Sequence, residues 1–308
     1  MRVVDVTDPA DPLLDDLRDL NNSDRRPDLP GGRGLVIAEG TYVVGRMLLS
    51  RFTPHVMLGT DTRLSQLRRE ASAEGWDADE RAGDAVYLRA SKELISEVIG
   101  FRSSRDILAA ADRPEPLSVE SVVAGTGVPG GPGGSAGVGR GAAAADRGVG
   151  RGEGGARTLV VLEGVNDPEN LGAIFRNCAA LGVDGVLFGA AAGDPLYRRV
   201  VRVSMGHVLR LPFAHLPGTP TTWQHSLDGL HEQGFRTIAL TPYADTPLSR
   251  AVDAEKVAFL LGAEGPGLTE HAMRACNVRA AIPMTDGTDS LNVATAAAVA
   301  FYERAREG

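Results

Sequence analysis

A long stretch of small residues divides this sequence into two parts. From Gly125 to Gly155 the chain consists mainly of Gly and Ala, with almost no large apolar side chain. Such a segment cannot bury enough apolar surface to offset the conformational entropy lost on ordering. We therefore predict a flexible linker over residues 123–156, which joins an N-terminal domain (residues 1–122) to a C-terminal domain (residues 157–308).

Composition narrows the class of protein. The chain has 308 residues, 43% of them apolar and 23% charged, which suits a globular protein of two domains. No apolar run is long enough to span a bilayer, and the acidic N-terminal segment does not resemble a secretion signal, so a cytoplasmic protein is expected. A net charge of −8 argues against non-specific coating of nucleic acid but allows a local basic patch. Cys178 and Cys276 are far apart, so neither a disulfide framework nor a metal site is predicted.

The N-terminal part carries short strand and helix patterns. LVIAEGTYVVGRMLL (Leu35 to Leu49) predicts a strand followed by a helix, and PHVMLG and AVYLRA predict two more strands. SKELISEVIG predicts a helix capped by Ser91. These patterns are typical of a small α/β domain. Before about Gly34, prolines among acidic neighbours predict a loosely ordered arm around one short helix.

The C-terminal part alternates regularly between strand and helix patterns. Its predicted strands are TLVVLEG, GVLFG, VLRLPFA, RTIALTP, VAFLLG and the run from Val278 to Met284, with a helix after each. This alternation predicts a parallel sheet covered by helices on both faces. Ligands of such sheets bind outside the carboxyl ends of the strands, so the junctions between strands and helices are the places to search for chemistry.

The first unusual junction is LEGVNDPENLGAIFRNCAALG (Leu162 to Gly182). We expect Asn170 at the N-cap of a helix whose buried stripe contains Leu171, Ile174, Phe175, Cys178 and Leu181. Arg176 falls off that stripe, so its guanidinium is free to hold a phosphate or to polarise an oxygen. The alternative is a simple cap and an exposed helical arginine without a role.

The second junction, LLGAEGPGL (Leu260 to Leu268), places glycines around Glu264. Glycines let a backbone approach a ligand closely and present its N–H groups. A tight turn without a ligand would have the same pattern, and the segment alone favours that interpretation.

The third junction is IPMTDGTDSLNVATAAAVAFYE (Ile282 to Glu303), where Ser290 and Asn292 lead into an alanine-rich helix. Both polar residues could be only capping residues. The alanines allow close packing, either in a dimer interface or inside one chain.

Taken in order, NLGAIFRNC, LGAEGPGL and IPM followed by SLNV resemble the three signature motifs of the SpoU (TrmH-like) family of RNA 2′-O-ribose methyltransferases, in the trefoil-knotted methyltransferase superfamily. YRRVVRVSMGHVLRLPF (Tyr197 to Phe213) is similar to the family's region between its first and second motifs. The N-terminal part resembles the small ribosomal-protein-like (L30e-like) α/β domain that binds the RNA substrate in many members.

The resemblance implies a fold, a cofactor and a set of site residues. The fold would be α/β, with a parallel sheet and a deep C-terminal trefoil knot that binds S-adenosylmethionine, and the protein would be a homodimer through its C-terminal domain. The residues that would bind the cofactor are Gly262, Ile282, Leu291, Met284 and Thr241. The residues that would build the catalytic centre are Asn170, Arg176, Glu264, Ser290 and Asn292. At Ala294 and Thr295 the chain departs from a frequent Ser–Val pair, which we interpret as a variation in packing.

The family resemblance points to Arg176 as the residue that activates the 2′-hydroxyl. An arginine pKa of about 12 or higher makes a neutral guanidine costly. We therefore expect Arg176 to hold the adjoining phosphate and to stabilise developing alkoxide charge, with the acceptor of the proton left unassigned. Asn170 and Asn292 would orient Arg176 and the sugar, and Glu264 would fix the loop or pair with a cation.

A separate N-terminal domain favours ribosomal RNA as the substrate, because it could dock on folded RNA through shape and phosphate contacts. Transfer RNA is the alternative, and a non-catalytic RNA-binding protein is a further one. A nucleotide-dependent oxidoreductase is disfavoured because the C-terminal part lacks GxGxxG, and a serine hydrolase because GxSxG is absent.

Overall fold

The structure is a computed structural model that describes residues 1–21, 33–102, 104–126, 157–285 and 287–307. Contacts divide these residues into two compact units. The first contains residues 1–21, 33–102, 104–115 and 196–210, and the second contains residues 116–126, 157–195, 211–285 and 287–307. Most of the predicted linker, residues 127–156, lies outside the described residues. The domain limits at residues 122 and 157 stay a prediction.

The described strands are, in chain order, β1 (Arg2–Asp5), β2 (Leu35–Glu39), β3 (Pro54–Gly59), β4 (Val86–Arg89), β5 (Ile107–Asp112), β6 (Thr158–Leu162), β7 (Gly185–Phe188), β8 (Phe213–His215), β9 (Phe235–Leu240), β10 (Thr246–Pro247), β11 (Lys256–Leu261) and β12 (Val278–Ala281). The described α-helices are α1 (Thr41–Leu48), α2 (Asp61–Ala73), α3 (Ala78–Ala82), α4 (Lys92–Ile99), α5 (Val119–Val123), α6 (Pro168–Leu181), α7 (Arg198–Val203), α8 (Leu227–Glu232), α9 (Glu270–Ala275) and α10 (Val293–Glu307). Short 3-10 helices cover Pro12–Leu17, His207–Leu209, Trp223–Ser226 and Leu248–Arg250.

Among its described residues, the first unit contains a mixed sheet in the order β1-β4-β3-β5-β2. Strand β4 is parallel to β1 and β3, whereas β5 is antiparallel to β3 and β2. The predicted Ser91 cap of α4 is confirmed, since the Ser91 hydroxyl accepts a hydrogen bond from the Leu94 N–H at 3.2 Å. The apolar face of α4 is buried in the core of this unit, as its spacing predicts.

The expectation of a loosely ordered N-terminal arm is wrong for its first part. Strand β1 pairs in parallel with β4, and Leu14, Leu17 and Leu20 are fully buried in the core of the first unit. Leu14 and Leu17 are three residues apart, which is the period of the 3-10 helix Pro12–Leu17 that contains them, and Leu20 follows at the same spacing. The predicted short helix is therefore present, as a 3-10 helix, and the error concerns the order of the arm, which depends on its pairing with β4 and on burial in the core.

The segment from Leu196 to Arg210 belongs to the first unit. Its Arg198 guanidinium donates a hydrogen bond to the Glu39 carboxylate and stacks on Phe101, with the guanidinium carbon 4.9 Å from the ring centre. Arg46 also donates to the carbonyl oxygen of Met205. The strand predicted over VLRLPFA is shorter than expected and begins only at Phe213, because Val208 and Leu209 lie in a 3-10 helix.

Within its described residues, the second unit contains a sheet in the order β10-β12-β9-β11-β6-β7-β8. Every pairing in it is parallel, which confirms the predicted α/β fold with a parallel sheet. The carboxyl ends of all these strands therefore lie at one edge of the sheet.

Apolar side chains cover both faces of this sheet. On one face, Leu159 and Val161 of β6 belong to a buried cluster with Trp223 and Leu227. On the opposite face, α6 contributes Phe175, whose ring centre lies 6.2 Å from that of Phe188, and α10 contributes Phe301, whose ring centre lies 5.9 Å from that of Phe259. Helices α6 and α10 thus pack beside each other over the same face, which brings the first and third predicted motifs together.

Candidate functional site

The site begins where β6 leads into α6. The N-cap of α6 is Asp167, whose carboxylate accepts hydrogen bonds from the backbone N–H groups of Glu169 and Asn170, at 2.9 and 3.0 Å. Pro168 occupies the first turn, where its missing N–H costs nothing. The expectation that Asn170 is the N-cap is therefore wrong, and the displaced Asn170 side chain is available for another contact.

That contact is made by Asn292, in the third motif. Its amide nitrogen donates to Oδ1 of Asn170 at 2.7 Å and to Oε1 of Glu264 at 2.8 Å. Its amide oxygen accepts from the backbone N–H groups of Ala294 and Thr295 at 3.0 and 3.2 Å, at the start of α10. Asn292 thus acts as a capping residue and also connects one polar residue from each of the three motifs.

The glycine-rich loop that carries Glu264 is folded tightly on itself. A Cβ atom on Gly262 would lie 2.2 Å from the carbonyl carbon of Gly267, so only glycine fits there. The Gly267 N–H closes the loop by donating to the carbonyl oxygen of Ala263 at 3.0 Å. A Cβ atom on Gly164, after β6, would come within 3.0 Å of the Ala263 side chain, so this loop also lies directly against the end of β6.

A cavity of about 280 Å³ opens between the β6–α6 loop and the glycine-rich loop. It is lined by Gly164, Val165, Asn166, Asp167, Asn170, Ala263, Glu264 and Val293. Asn170 is only 8% exposed, and its amide nitrogen makes no hydrogen bond to another described residue. The cavity therefore offers an unused amide donor near the carboxylate of Glu264.

Arg176 and Ser290, the other predicted catalytic residues, are both exposed. Arg176 lies on α6, off the buried stripe as predicted, and forms no hydrogen bond or ion pair with any described residue. Ser290 lies just before Asn292, outside the hydrogen-bonded group. The structure thus brings Asn170, Glu264 and Asn292 into contact and leaves Arg176 and Ser290 at the surface.

Three of the five predicted cofactor residues lie at the carboxyl ends of neighbouring strands. Thr241, Gly262 and Ile282 directly follow β9, β11 and β12, which are neighbouring strands. Ile282 and Met284 are half-buried, and the Leu291 side chain is 37% exposed, so apolar side chains are accessible beside backbone polar groups. This combination fits S-adenosylmethionine, whose adenine ring needs apolar contacts and backbone hydrogen bonds.

Sequence reasoning missed Glu163, a buried carboxylate immediately after β6. It accepts hydrogen bonds from the indole N–H of Trp223 at 3.0 Å, from the Thr269 N–H at 2.8 Å and from the Thr269 hydroxyl at 2.9 Å. The sequence signal that could have identified Glu163 is an acidic residue directly after an apolar strand. Asp167 was missed as well, although an Asp before Pro is a common start of a helix.

Comparison with known proteins identifies the family. The family model for the SpoU rRNA methylases matches residues 157–302. An uncharacterised tRNA/rRNA methyltransferase of Mycobacterium tuberculosis is 51% identical over 311 residues, which cover 99% of this chain and 93% of that protein. The chain belongs to the SpoU methylase family. The family recognised from the three motifs is thereby confirmed, and this SpoU methylase is an RNA methyltransferase.

Solved structures show the same fold. An rRNA methyltransferase from Sinorhizobium meliloti, solved with S-adenosylmethionine bound, has a TM-score of 0.68 at 21% identity and covers 99% of this chain and 98% of its own. An RNA 2′-O ribose methyltransferase has a TM-score of 0.64 at 21% identity, with 99% of both chains covered. The prediction of S-adenosylmethionine is confirmed at the level of the family. Among the described residues of this SpoU methylase, no helix is long and apolar enough to cross a membrane.

Proposed function

We propose that this SpoU methylase transfers the methyl group of S-adenosylmethionine to a ribose 2′-hydroxyl of RNA, with ribosomal RNA as the favoured substrate. The observation that carries the proposal is the contact of Asn292 with both Asn170 and Glu264. The three residues come from separate motifs and meet at the carboxyl edge of a parallel sheet, where ligands of such folds bind.

The acceptor ribose is proposed to enter the cavity beside Asn170 and Glu264. A hydroxyl group both donates and accepts hydrogen bonds. The unused amide N–H of Asn170 can donate to one sugar oxygen, while the Glu264 carboxylate can accept from a neighbouring hydroxyl. Since Asn292 holds both side chains, the sugar would meet a site that is already ordered, which is how alignment lowers a barrier.

Arg176 is proposed to bind and stabilise negative charge on the RNA. Its exposed guanidinium has no partner among the described residues, so it can bind a phosphate beside the acceptor sugar without breaking an internal contact. The same group can stabilise the negative charge that develops on the acceptor oxygen as its proton leaves. Ser290, exposed in the SLNV part of the third motif, is proposed to line the same centre.

Thr241, Gly262, Ile282, Met284 and Leu291 are proposed to hold the methyl donor, in the trefoil knot that the family resemblance implies. When bound, S-adenosylmethionine supplies a methyl group already activated by its sulfonium charge. The residues of this chain then need only to orient the acceptor, exclude water and stabilise charge. A Cβ atom added to Gly265 or Gly267 would meet no atom within 4 Å, so a ligand can approach the loop backbone closely from that side.

The preference for ribosomal RNA is supported by the name of the matching family and by the separate α/β unit ahead of the methylase region, which we propose binds RNA. Transfer RNA stays the alternative, because the name of the M. tuberculosis relative covers both substrates.

A homodimer is part of the proposal. Exposed apolar side chains on or next to α10, namely Leu291, Val299 and Tyr302, support it. A cytoplasmic location is proposed with it.

The test is transfer of a labelled methyl group from S-adenosylmethionine to ribosomal and transfer RNAs purified separately. The product is then mapped by its resistance to alkaline cleavage, since a 2′-O-methyl group blocks attack on the adjoining phosphate. Label at an alkali-resistant position in ribosomal RNA is the expected result. Label only in transfer RNA would mean that transfer RNA, and not ribosomal RNA, is the substrate. Label at an alkali-sensitive position would mean that the methyl group is on a base and not on the ribose.

A further inference from the structure

Glu163 is a buried carboxylate that directly precedes Gly164, a lining residue of the candidate cavity. Its side chain accepts three hydrogen bonds, one from the Trp223 indole and two from Thr269, and the residue is 5% exposed. A carboxylate accepts such bonds with both oxygens, and bonds to a charged acceptor are roughly twice as strong as neutral ones. Glu163 therefore binds Trp223 and Thr269 firmly to the end of β6.

Thr269, which Glu163 holds, ends the glycine-rich loop. The Thr269 hydroxyl also accepts from the Ala272 N–H at 3.3 Å and so caps α9. Just before it, the backbone of Gly267 and Leu268 rests directly on Gly262, where no Cβ atom fits. Any shift of Thr269 would therefore move the loop backbone that faces Gly262.

The backbone of Glu163 is part of the other wall. Its N–H donates to the carbonyl oxygen of Leu261 at 3.0 Å, which extends the pairing of β6 with β11. The next residue, Gly164, lines the cavity, and a Cβ atom added to it would lie 3.0 Å from the Ala263 side chain. Glu163 thus fixes the entry of the glycine-rich loop through its backbone and the exit of that loop through its carboxylate.

We propose that Glu163 is a positioning residue that holds the glycine-rich loop in the conformation that binds the methyl donor. The inference rests on the proposed function, because that function places the donor on Gly262. Glutamine at position 163 has one acceptor oxygen and turns an NH₂ group either toward the Thr269 N–H or toward both the Trp223 indole and the Thr269 hydroxyl. If the loop then holds its binding conformation for a tenth of the time, the apparent Kd for the donor rises about tenfold.

The experiment compares Glu163→Gln with Asp184→Asn in the full chain. Asp184 is a matched control at the opposite end of the same strand, where its carboxylate accepts from the N–H groups of Arg157 and Thr158 at 2.8 and 2.9 Å. The Kd for S-adenosylmethionine is measured by calorimetry, and hydrogen exchange is followed over residues 262–268. We expect Glu163→Gln to raise the Kd about tenfold and to speed exchange in the loop, whereas Asp184→Asn changes neither.

Thr269 supplies a second pair of variants in case Glu163→Gln does not fold. Thr269→Val removes the hydroxyl that bonds Glu163 and should shift the Kd in the same direction, while Thr269→Ser should restore it. Equal loss of binding in the Glu163 and Asp184 variants, or an unchanged Kd and unchanged exchange in Glu163→Gln, overturns the proposal.

Failure of the proposed function has a different signature. If the wild-type chain binds no donor, the function is wrong, and loop exchange alone then decides whether Glu163 holds the loop. Unchanged donor affinity with altered RNA specificity in Glu163→Gln would also overturn the inference while leaving the methyltransferase function in place.

Discussion

The amide nitrogen of Asn292 donates a hydrogen bond to the side-chain oxygen of Asn170, 122 residues earlier in the chain, at 2.7 Å. Its second amide hydrogen goes to Glu264, and its oxygen faces two backbone N–H groups of α10. Both the nitrogen and the oxygen of the Asn292 side chain therefore form hydrogen bonds, and these bonds fix the orientation of its amide group. Few replacements can keep both the cap and the two donated bonds.

Asn292→Asp separates these two roles. Aspartate caps a helix as well as asparagine does, so the free energy of unfolding should change by less than about 1 kcal/mol. It cannot donate to Asn170, and its charge would repel Glu264, so methyl transfer should fall at least about tenfold. Urea unfolding and kcat/KM measure the two effects. Asn292→Ala loses both roles, and equal stability of the two variants would contradict the assigned cap.

Arg176→Ala should leave stability unchanged within about 0.5 kcal/mol, because the side chain is exposed and unpaired among the described residues. Methyl transfer should be lost, while S-adenosylmethionine binds as before. Arg274→Ala, at an exposed arginine of α9, is the control and should keep transfer. The Kd for the donor is measured by calorimetric titration, and methyl transfer is measured in parallel. Weaker donor binding in Arg176→Ala would mean that this residue belongs to the cofactor site.

Gly262→Ala should destabilise the chain by about 2 kcal/mol and weaken donor binding, because its Cβ atom would overlap the backbone of Gly267 and Leu268. Gly229→Ala is the matched control. Gly229 lies in α8 with open space around it, so alanine there should stabilise by up to about 1 kcal/mol. Thermal unfolding with and without the donor measures both changes. A stable Gly262→Ala protein with normal affinity would show that the loop is not closed on this residue.

The free energy of unfolding should fall in alkaline solution because of two thiols, the buried Cys178 and the half-buried Cys276. Burial raises the pKa of Cys276 to about 12 from an ordinary value of 9.0, and it raises the pKa of Cys178 well above that value. Above pH 9 the unfolded chain loses these protons and the folded chain keeps them, so each thiol lowers the free energy of unfolding by about 1.4 kcal/mol at pH 10. Urea unfolding at pH 7 and pH 10 tests this, and Cys276→Ala should show a smaller loss. Equal losses would mean that Cys276 is not the titrating group.

Arg198→Ala should cost the first unit about 3 kcal/mol, since it leaves the Glu39 carboxylate buried without its partner. The side chains are only 12% and 6% exposed, so solvent cannot replace the lost contact. Replacing both residues, as Glu39→Gln with Arg198→Met, should recover much of the loss. Denaturant unfolding of the single and double variants completes a cycle, and additive losses would show that the pair is not coupled.

Much of the second unit could be predicted because its apolar runs and helical stripes repeat with clear periods. The buried stripe of α6 and the exposed position of Arg176 follow directly from a period of 3.6 residues. Those patterns could not identify which polar residue caps α6. Asp167 and Asn170 are both good caps, and the choice depends on Asn292, which is distant in sequence and competes for the Asn170 side chain.

The other errors, one in each unit, have the same origin in long-range contacts. Strand β1 has few residues, and its place in the sheet depends on pairing with β4 rather than on its own pattern. Glu163 was passed over because a charged residue after a strand is usually solvated, and its burial depends on Trp223 and Thr269. Neither contact is visible in a local window of sequence.

The return of residues 196–210 to the first unit has a consequence for the order of synthesis. When the ribosome has completed β1 to β5, Glu39 is already in place, but its arginine lies beyond β6, α6 and β7. The buried ion pair of the first unit therefore cannot form until β6 and β7, two strands of the parallel sheet, have been translated. A protein cut in the predicted linker would place Glu39 and Arg198 on separate polypeptides, so the first unit depends for this ion pair on a segment that is synthesised after β7.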